Sequence, residues 1–432
     1  LMFSDPIQER LDGLPEGARA AVAPTLAVQV LPLPLSLHFF HVLPLLAPLA
    51  NLIVIPLLSV ELWLCVAALL ASAFNMTAGF LLGHALYPFV EAIRFTATCV
   101  AEFPHSFLRI VSPTIPAAIL MWAAAALLLW CLYAPTRRRI LAAITCLALA
   151  WLCWRDWRPE PGIDVLDVGH GDSIVVRTGG GTTMLIDGGM ANEYGDTGKW
   201  VVERYLYAHQ IDRLDYVVMT HPDGDHAGGL FHVLKRFPVG KVLMGAVPTA
   251  RSAERALLDL CRERGVPVQR LSRGELLLLD DDEAEGKVEV IHPPAGWSDE
   301  PVNDTSLAFR LSWQGYRVLF TGDIEARAEA DIVAAGTDVR AEILKVPHHG
   351  SHTSSTPAFL AAVAPRLAAA STRASGKEAI APVVEAEYER LQIPLHRTDV
   401  SGGLRLRIRD GDLLISGARA AKALPPGARG RH

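Results

Sequence analysis

Polar positions are nearly missing from the first third of the chain. Between Ala21 and Thr136 only five residues are charged: Glu61, Glu91, Arg94, Glu102 and Arg109. Apolar stretches run over 22–40, 48–72, 78–100, 116–134 and 140–154, and a helix rising ~1.5 Å per residue needs roughly 20 residues to cross a bilayer. Four or five membrane segments are expected, the last of them short. Pro24, Pro32 and Pro34 interrupt the first stretch, and Pro44, Pro48 and Pro56 come soon after. Interior prolines free backbone groups that lipid cannot satisfy, so broken segments favour a channel or transporter over a plain anchor. Glu91 and Arg94 share a helical face. They either pair in a polar interior or lie in interfacial water.

From Gly162 the pattern shortens to β-branched runs punctuated by glycine. Strands are predicted at 163–168, 174–178, 183–186, 216–220, 241–244, 287–291, 307–313, 317–320 and 343–346, and helices near 199–209, 250–264, 324–335 and 383–391. Runs of strands broken by a few helices predict an α/β fold of two sheets covered by helices. The expected organisation is an all-α multi-helix transmembrane domain over 1–156, an α/β domain over 157–417 and a loose tail over 418–432.

Composition sharpens this division. Over 432 residues the chain is 51% hydrophobic and 20% charged, an average of two unlike halves. Charges balance up to Asp156, so the net −6 belongs entirely to residues 157–432. A purely soluble enzyme, a disordered chain and a basic DNA-coating protein are excluded. Five of the six cysteines lie in the apolar half, where they act as small hydrophobes, and Cys261 alone cannot form an intramolecular disulfide in the other. The chain starts at Leu1 with no basic stretch before its apolar run, which reads as a piece of something longer without a signal peptide. Arg137, Arg138 and Arg139 are expected in a cytoplasmic loop, which would carry the 140–154 segment and the α/β domain outward.

Candidate chemistry concentrates in Thr220-His221-Pro222-Asp223-Gly224-Asp225-His226-Ala227-Gly228-Gly229. His221, Asp223 and Asp225 alternate, so an extended chain would aim all three one way, and Gly224 lets the chain turn to bring in His226. Imidazoles mixed with carboxylates suit Zn²⁺ or Mn²⁺ better than Ca²⁺ or Mg²⁺. Three further pieces also come directly after predicted strands, where layered α/β folds collect their sites: Asp187-Gly188-Gly189, Thr321-Gly322-Asp323, and Lys345-Val346-Pro347-His348-His349-Gly350-Ser351. No Ser-His-Asp or Cys-His set competes, and no phosphate-binding G-x-x-x-x-G-K-[ST] loop is present.

Together with Leu166-Asp167-Val168-Gly169-His170-Gly171-Asp172-Ser173, these motifs resemble the metallo-β-lactamase superfamily and, more particularly, the hydrolase-like domain of the ComEC family of DNA-internalisation channels. That family sets a multi-helix competence domain ahead of an αββα hydrolase domain. The resemblance implies that His221, Asp223, Asp225 and His226 are ligands of one or two divalent ions (zinc or manganese), with Asp323 bridging and His348 or His349 completing the set. It implies that Asp187 orients the signature loop and that Asn303 and Ser306 lie near the site. Asp225 or Asp323 would orient the attacking water, with His349 or His348, or Lys345, facing the substrate and Ser351 and Lys377 near it. Asp172 is expected outside the ligands, so Asp172→Asn should cost less than Asp225→Asn. The middle-motif histidine has no certain counterpart; His292 is the nearest candidate and Asn303 the likelier neighbour.

The implied function is a multi-pass channel of the bacterial inner membrane that takes up DNA, double-stranded on arrival and single-stranded in transit. Its extracytoplasmic nuclease would degrade the other strand, and the lipid bilayer and other competence proteins would be its partners. A membrane-tethered hydrolase of a small or lipid-like substrate and a channel with a silent metal domain are the alternatives. Arg373, Lys377, Arg397, Arg405 and Arg407 are candidates for contacting DNA.

Overall fold

A computed structural model describes residues 4–13, 15–155, 160–280, 286–298, 300–373, 379–409 and 411–419. Lys377 and most of the 418–432 tail lie outside them. The chain forms two compact units, one over residues 1–158 with 207–210, the other over 159–206 with 211–432.

The first unit is helical. Ala47–Phe74, Met76–Glu102 and Ile115–Tyr133 are long and apolar enough to cross a membrane, and the second of these breaks at Ala85–Leu86 into Met76–His84 and Tyr87–Glu102. The 22–40 stretch is shorter than a span: Glu16–Val30 gives way to a tight turn at Leu33–Leu35 and a wide turn at Ser36–Phe40. Pro32 and Pro34 sit at that change, where each removes a helical donor. The 140–154 stretch lies in helix Arg137–Arg155, which has three arginines in its first turn. Outward faces are apolar, as on Leu49, Leu62, Trp63 and Phe74. Glu91 and Arg94 form an ion pair with Arg94 Nε 3.0 Å from Glu91 Oε2.

The second unit stacks two sheets. One has eight strands in the order Val268–Leu271, Val239–Gly245, Leu214–Met219, Thr183–Ile186, Ile174–Arg177, Gly162–Val165, Leu404–Arg409, Asp412–Gly417. The other has seven, in the order Leu276–Leu278, Lys287–His292, Ala308–Trp313, Tyr316–Phe320, Ile343–Lys345, Leu367–Ala370, Leu395–Arg397. Each sheet is antiparallel at one end and parallel at the other. Between the sheets pack Ile163, Val176, Met184, Val218 and Leu243 from one and Val290, Phe309, Leu311, Val318 and Phe320 from the other. Their sequence neighbours point outward, because side chains alternate along a strand. On the second sheet those neighbours, among them Leu319, Leu344 and Ala368, are covered by Ala326–Ala334, Pro357–Val363 and Pro382–Arg390. Ser252–Arg264 and Leu230–Arg236 also bury apolar faces. The result is an αββα sandwich, and the parallel strands of both sheets end at one locus.

Candidate metal centre

Four elements deliver the cluster. Strand Leu214–Met219 runs into Thr220 and His221. A helical turn then begins at Gly224 (Gly224–Ala227), which corrects the expected extended alternation. Asp225 and His226 come from that turn, while Asp223, still extended, turns away with its carboxylate 46% exposed. Tyr316–Phe320 leads to Asp323, and Ile343–Lys345 to His348 and His349.

Asp225, His226, Asp323 and His349 each offer a ligand atom, all within 4.8 Å of one another. His226 Nε2 lies 3.1 Å from His349 Nε2 and 3.1 Å from Asp323 Oδ2. His349 Nε2 lies 3.2 Å from Asp323 Oδ2. Two imidazole nitrogens at that distance hydrogen-bond only if one carries a proton; a divalent cation satisfies both. Among the described residues, buried His221 Nε2 and Asp323 Oδ1 have no hydrogen-bond partner, an arrangement that burial penalises unless a cation is bound. The residues present therefore fit the divalent metal that the fold implies.

Supporting groups fix which nitrogen faces inward. Asp187 Oδ2 lies 2.8 Å from His226 Nδ1, and its oxygens also accept from Thr220 N (2.9 Å) and Thr220 Oγ1 (2.7 Å). His349 Nδ1 donates to the Ser371 carbonyl at 3.0 Å. Both rings thus keep Nε2 free for the cluster. Asp323 N donates to Ser306 Oγ at 3.1 Å. Asp187, His348 and His349 adopt φ of 57°, 45° and 53°, left-handed conformations that cost non-glycine residues of order 1–3 kcal/mol each and gather at functional sites. Gly171, at φ 102°, sits where a Cβ would lie 2.0 Å from the Asp225 carbonyl. Only glycine lets that loop pack onto the signature loop.

Charge follows the same geometry. Burial alone would raise the Asp323 carboxyl, but His226 and His349 hold it well below the usual range. Burial would lower His226, yet Asp323 and Asp187 hold it well above. Burial, and then the charge of His226, push His221 down to about 3, so it is a neutral donor.

Other candidates fall around this core. His221 packs tilted against His226 with ring centroids 4.2 Å apart, and its Nε2 is 3.9 Å from Asp223 Oδ2. His348 stands at the rim with Nε2 4.0 Å from Asp323 Oδ2, beside Asn303 at 3.5 Å. Lys345 is not at the substrate. Its strand is buried in mid-sheet, and its ammonium donates to the Val346 carbonyl at 2.8 Å and pairs with Asp172 at 2.6 Å. Asp172 in turn lies 3.7 Å from His349 Nδ1, so it is a buried support of the cluster rather than a remote loop residue. Ser351 Oγ meets Thr353 Oγ1 at 3.1 Å, and Thr353 Oγ1 in turn lies 3.2 Å from His348 Nδ1. His292 bonds the Asp304 carbonyl at 2.7 Å and is not among the clustered residues. Two of the candidate arginines are paired within the fold: Arg397 with Asp399 and Glu385, each at 2.8 Å, and Arg407 with Asp164 at 2.8 Å. Arg405 Nε is 3.6 Å from Asp164. His170, present in the early motif but given no role by it, has its Nε2 3.1 Å from Asp225 Oδ2; the sequence did not point to the role of Glu325, which binds both Asn303 (3.0 Å) and His348 (3.1 Å). Glu325 lies two residues past Asp323, the one signal that could have found it.

An αββα sandwich with this cluster at the strand ends defines a metallo-β-lactamase-type, metal-dependent hydrolase domain, and residues 166–372 match the model of the metallo-β-lactamase superfamily. Residues 1–135 match the model described as competence protein. The chain is 30% identical over 424 residues to competence protein ComA of Neisseria gonorrhoeae, covering 94% of this chain and 54% of that one. It is 27% identical over 270 residues to ComE operon protein 3 of Bacillus subtilis (strain 168), covering 58% and 33%. A crystal structure of the metallo-β-lactamase SMB-1 with mercaptoacetic acid is similar at 18% identity and a TM-score of 0.31, covering 49% of this chain and 95% of that one. The chain spans between 33% and 54% of the length of these two curated relatives. A competence domain followed by a metallo-β-lactamase domain is the ComEC arrangement, and the chain belongs to that family.

Proposed function

We propose that the chain forms part of a DNA-uptake channel in the bacterial inner membrane, and that its hydrolase domain is a metal-dependent phosphodiesterase degrading the strand that is not transported. The observation that carries this reading is the closed cluster of Asp225, His226, Asp323 and His349 in a chain that also matches a competence domain. These four residues would hold a zinc or manganese ion, with the neutral His221 beside them. When bound, the metal lowers the pKa of a coordinated water toward ~7 and polarises the phosphoryl oxygen.

The remaining work falls to the protein. Asp187 and the Ser371 carbonyl keep His226 and His349 in the required tautomers. His170 aims Asp225, and Ser306 fixes the backbone of Asp323. Asp225 and Asp323 orient the attacking water. His348, held by Glu325 and Asn303 at the rim, faces the substrate and supplies a proton to the leaving oxygen.

A membrane-tethered hydrolase of a small substrate is the second reading, favoured by the pairing of Arg397 and Arg407 with carboxylates. Purified full-length protein in detergent tests both: cleavage of single-stranded DNA that chelation abolishes supports the nuclease, whereas phosphodiesterase activity confined to small esters supports the alternative. We assign Arg137–Arg139 to the cytoplasm, and helix Arg137–Arg155, if it crosses the membrane, would put the hydrolase domain outside. Alkaline phosphatase fused after Gly162 should be active; fluorescence there from a reporter that matures only in the cytoplasm would overturn that sidedness.

A further inference from the structure

A groove of about 360 Å³ opens beside the metal loop, lined by Gly224, Ala191, Asp196, Phe231, His232 and Lys235. Gly224 immediately precedes Asp225, so one wall of the groove is the loop that carries the cluster. Helix Ser252–Arg264 contributes Ala253, and two further elements form the rest. The hairpin Ala191–Asn192 with Gly195–Asp196 supplies Ala191 and Asp196, and helix Leu230–Arg236 supplies Phe231, His232 and Lys235. The groove lies at the small end of ligand pockets, which run from roughly 300 to 1,000 Å³. It has room for one nucleotide-sized group and none for a duplex.

Its chemistry is mixed in a particular way. Phe231 offers a half-buried aromatic ring and Ala191 a small apolar wall. Lys235 is an exposed ammonium. His232 is fixed by a short contact to the buried Glu203 carboxylate, so it cannot swing across the groove. Asp196 Oδ1 accepts the Lys199 N–H at 3.1 Å, which leaves its second oxygen to receive an exocyclic amine. An aromatic face, a cation and a carboxylate acceptor match a base, its phosphate and its amino edge.

We propose that this groove is the subsite for a single-stranded nucleotide flanking the scissile phosphate, with the base against Phe231 and the phosphate at Lys235. The proposal rests on the nuclease reading above, but the subsite can be tested without catalysis. Full-length protein in detergent, chelated to prevent cleavage, is titrated into a short fluorescein-labelled oligodeoxycytidylate, whose bases carry the exocyclic amine, and followed by anisotropy. Phe231→Ala should raise Kd about tenfold, the scale of one lost base stack. Phe231→Leu keeps the bulk without the ring and should weaken binding nearly as much, which separates stacking from folding. Lys235→Gln should weaken binding less and flatten its salt dependence by about one phosphate contact.

In the presence of metal, none of these variants should change hydrolysis of bis(p-nitrophenyl) phosphate, which is too small to reach the groove. If the variants bind the oligonucleotide as the wild type does, the subsite is wrong whether or not the protein is a nuclease. If the wild type binds through these residues yet never cleaves DNA, the nuclease reading fails and the subsite stands. Wild type that does not bind the oligonucleotide at all overturns the subsite, and equal losses on both substrates would do the same by placing Phe231 and Lys235 in the metal centre.

Discussion

The two units of this chain bury opposite things. In the helical unit the large apolar side chains face outward, Leu62 at 64% and Phe74 at 92% exposure, and only a few polar groups, such as Thr25 and Ser112, are buried. In the sandwich the apolar side chains are inside, and fully buried aspartates, histidines and a lysine surround a single point. One unit presents apolar surface suited to a solvent without hydrogen bonds, and the other gathers buried aspartates and histidines at one place. The contrast separates the roles: the helical unit presents apolar faces, and the sandwich holds the candidate metal cluster.

The largest effect that sharpens this contrast is expected from Asp225→Asn. It should lower hydrolysis about a thousandfold, in line with loss of a charged group from a catalytic metal site, while leaving membrane extraction unchanged. Steady-state rates and alkaline extraction check the two halves of that statement.

Asp172→Asn comes next, below Asp225→Asn as the sequence suggested. Removing one partner of a buried ion pair costs about 3–5 kcal/mol, and loosening a ligand's support weakens metal affinity about 10–100-fold. Denaturant unfolding and metal titration read these separately. Asp172→Asn with Lys345→Met should recover part of the stability but not the affinity.

In the helical unit, Leu62→Asp lies near the middle of Ala47–Phe74. It should disfavour insertion by about 2.5–3.5 kcal/mol, seen as a fall in the carbonate-resistant fraction. An unchanged fraction would break the contrast, because an exposed leucine facing water tolerates aspartate.

The smallest effect concerns His292, which burial lowers to about 4 against the Asp304 hydrogen bond. The unfolded chain takes up that proton near pH 6.5 and the folded one only near 4, so stability is lost as pH falls through that window. The loss is at most about 3 kcal/mol. His292→Gln should flatten the dependence measured by urea unfolding.

Much of the fold is legible in the sequence, for identifiable reasons. Strand Thr183–Ile186 and helix Ser252–Arg264 announce themselves through β-branched runs and periodicity. Leu367–Ala370 and Leu404–Arg409 do not, since Leu-Ala-Ala-Ala favours a helix locally and alternating arginines resemble a loop. Their strand state comes from sheet partners. Leu230–Arg236 and Pro357–Val363 are too short for a periodic signal. At the site, spacing points to Asp225, His226 and Asp323. It cannot show that the chain turns after Asp223, that His349 rather than His348 reaches the cluster, or that Lys345 is held by Asp172. Each of these depends on a contact between residues far apart in sequence.

The most direct test of a metal-dependent nuclease is one preparation of full-length protein assayed for bound metal and for cleavage of single-stranded DNA, with Asp225→Asn beside it. The expected result is about one tightly bound divalent ion per chain, cleavage that chelation abolishes and manganese or zinc restores, and loss of both metal and cleavage in the variant. A metal-replete wild type that leaves DNA intact, or cleavage that survives Asp225→Asn, would contradict it.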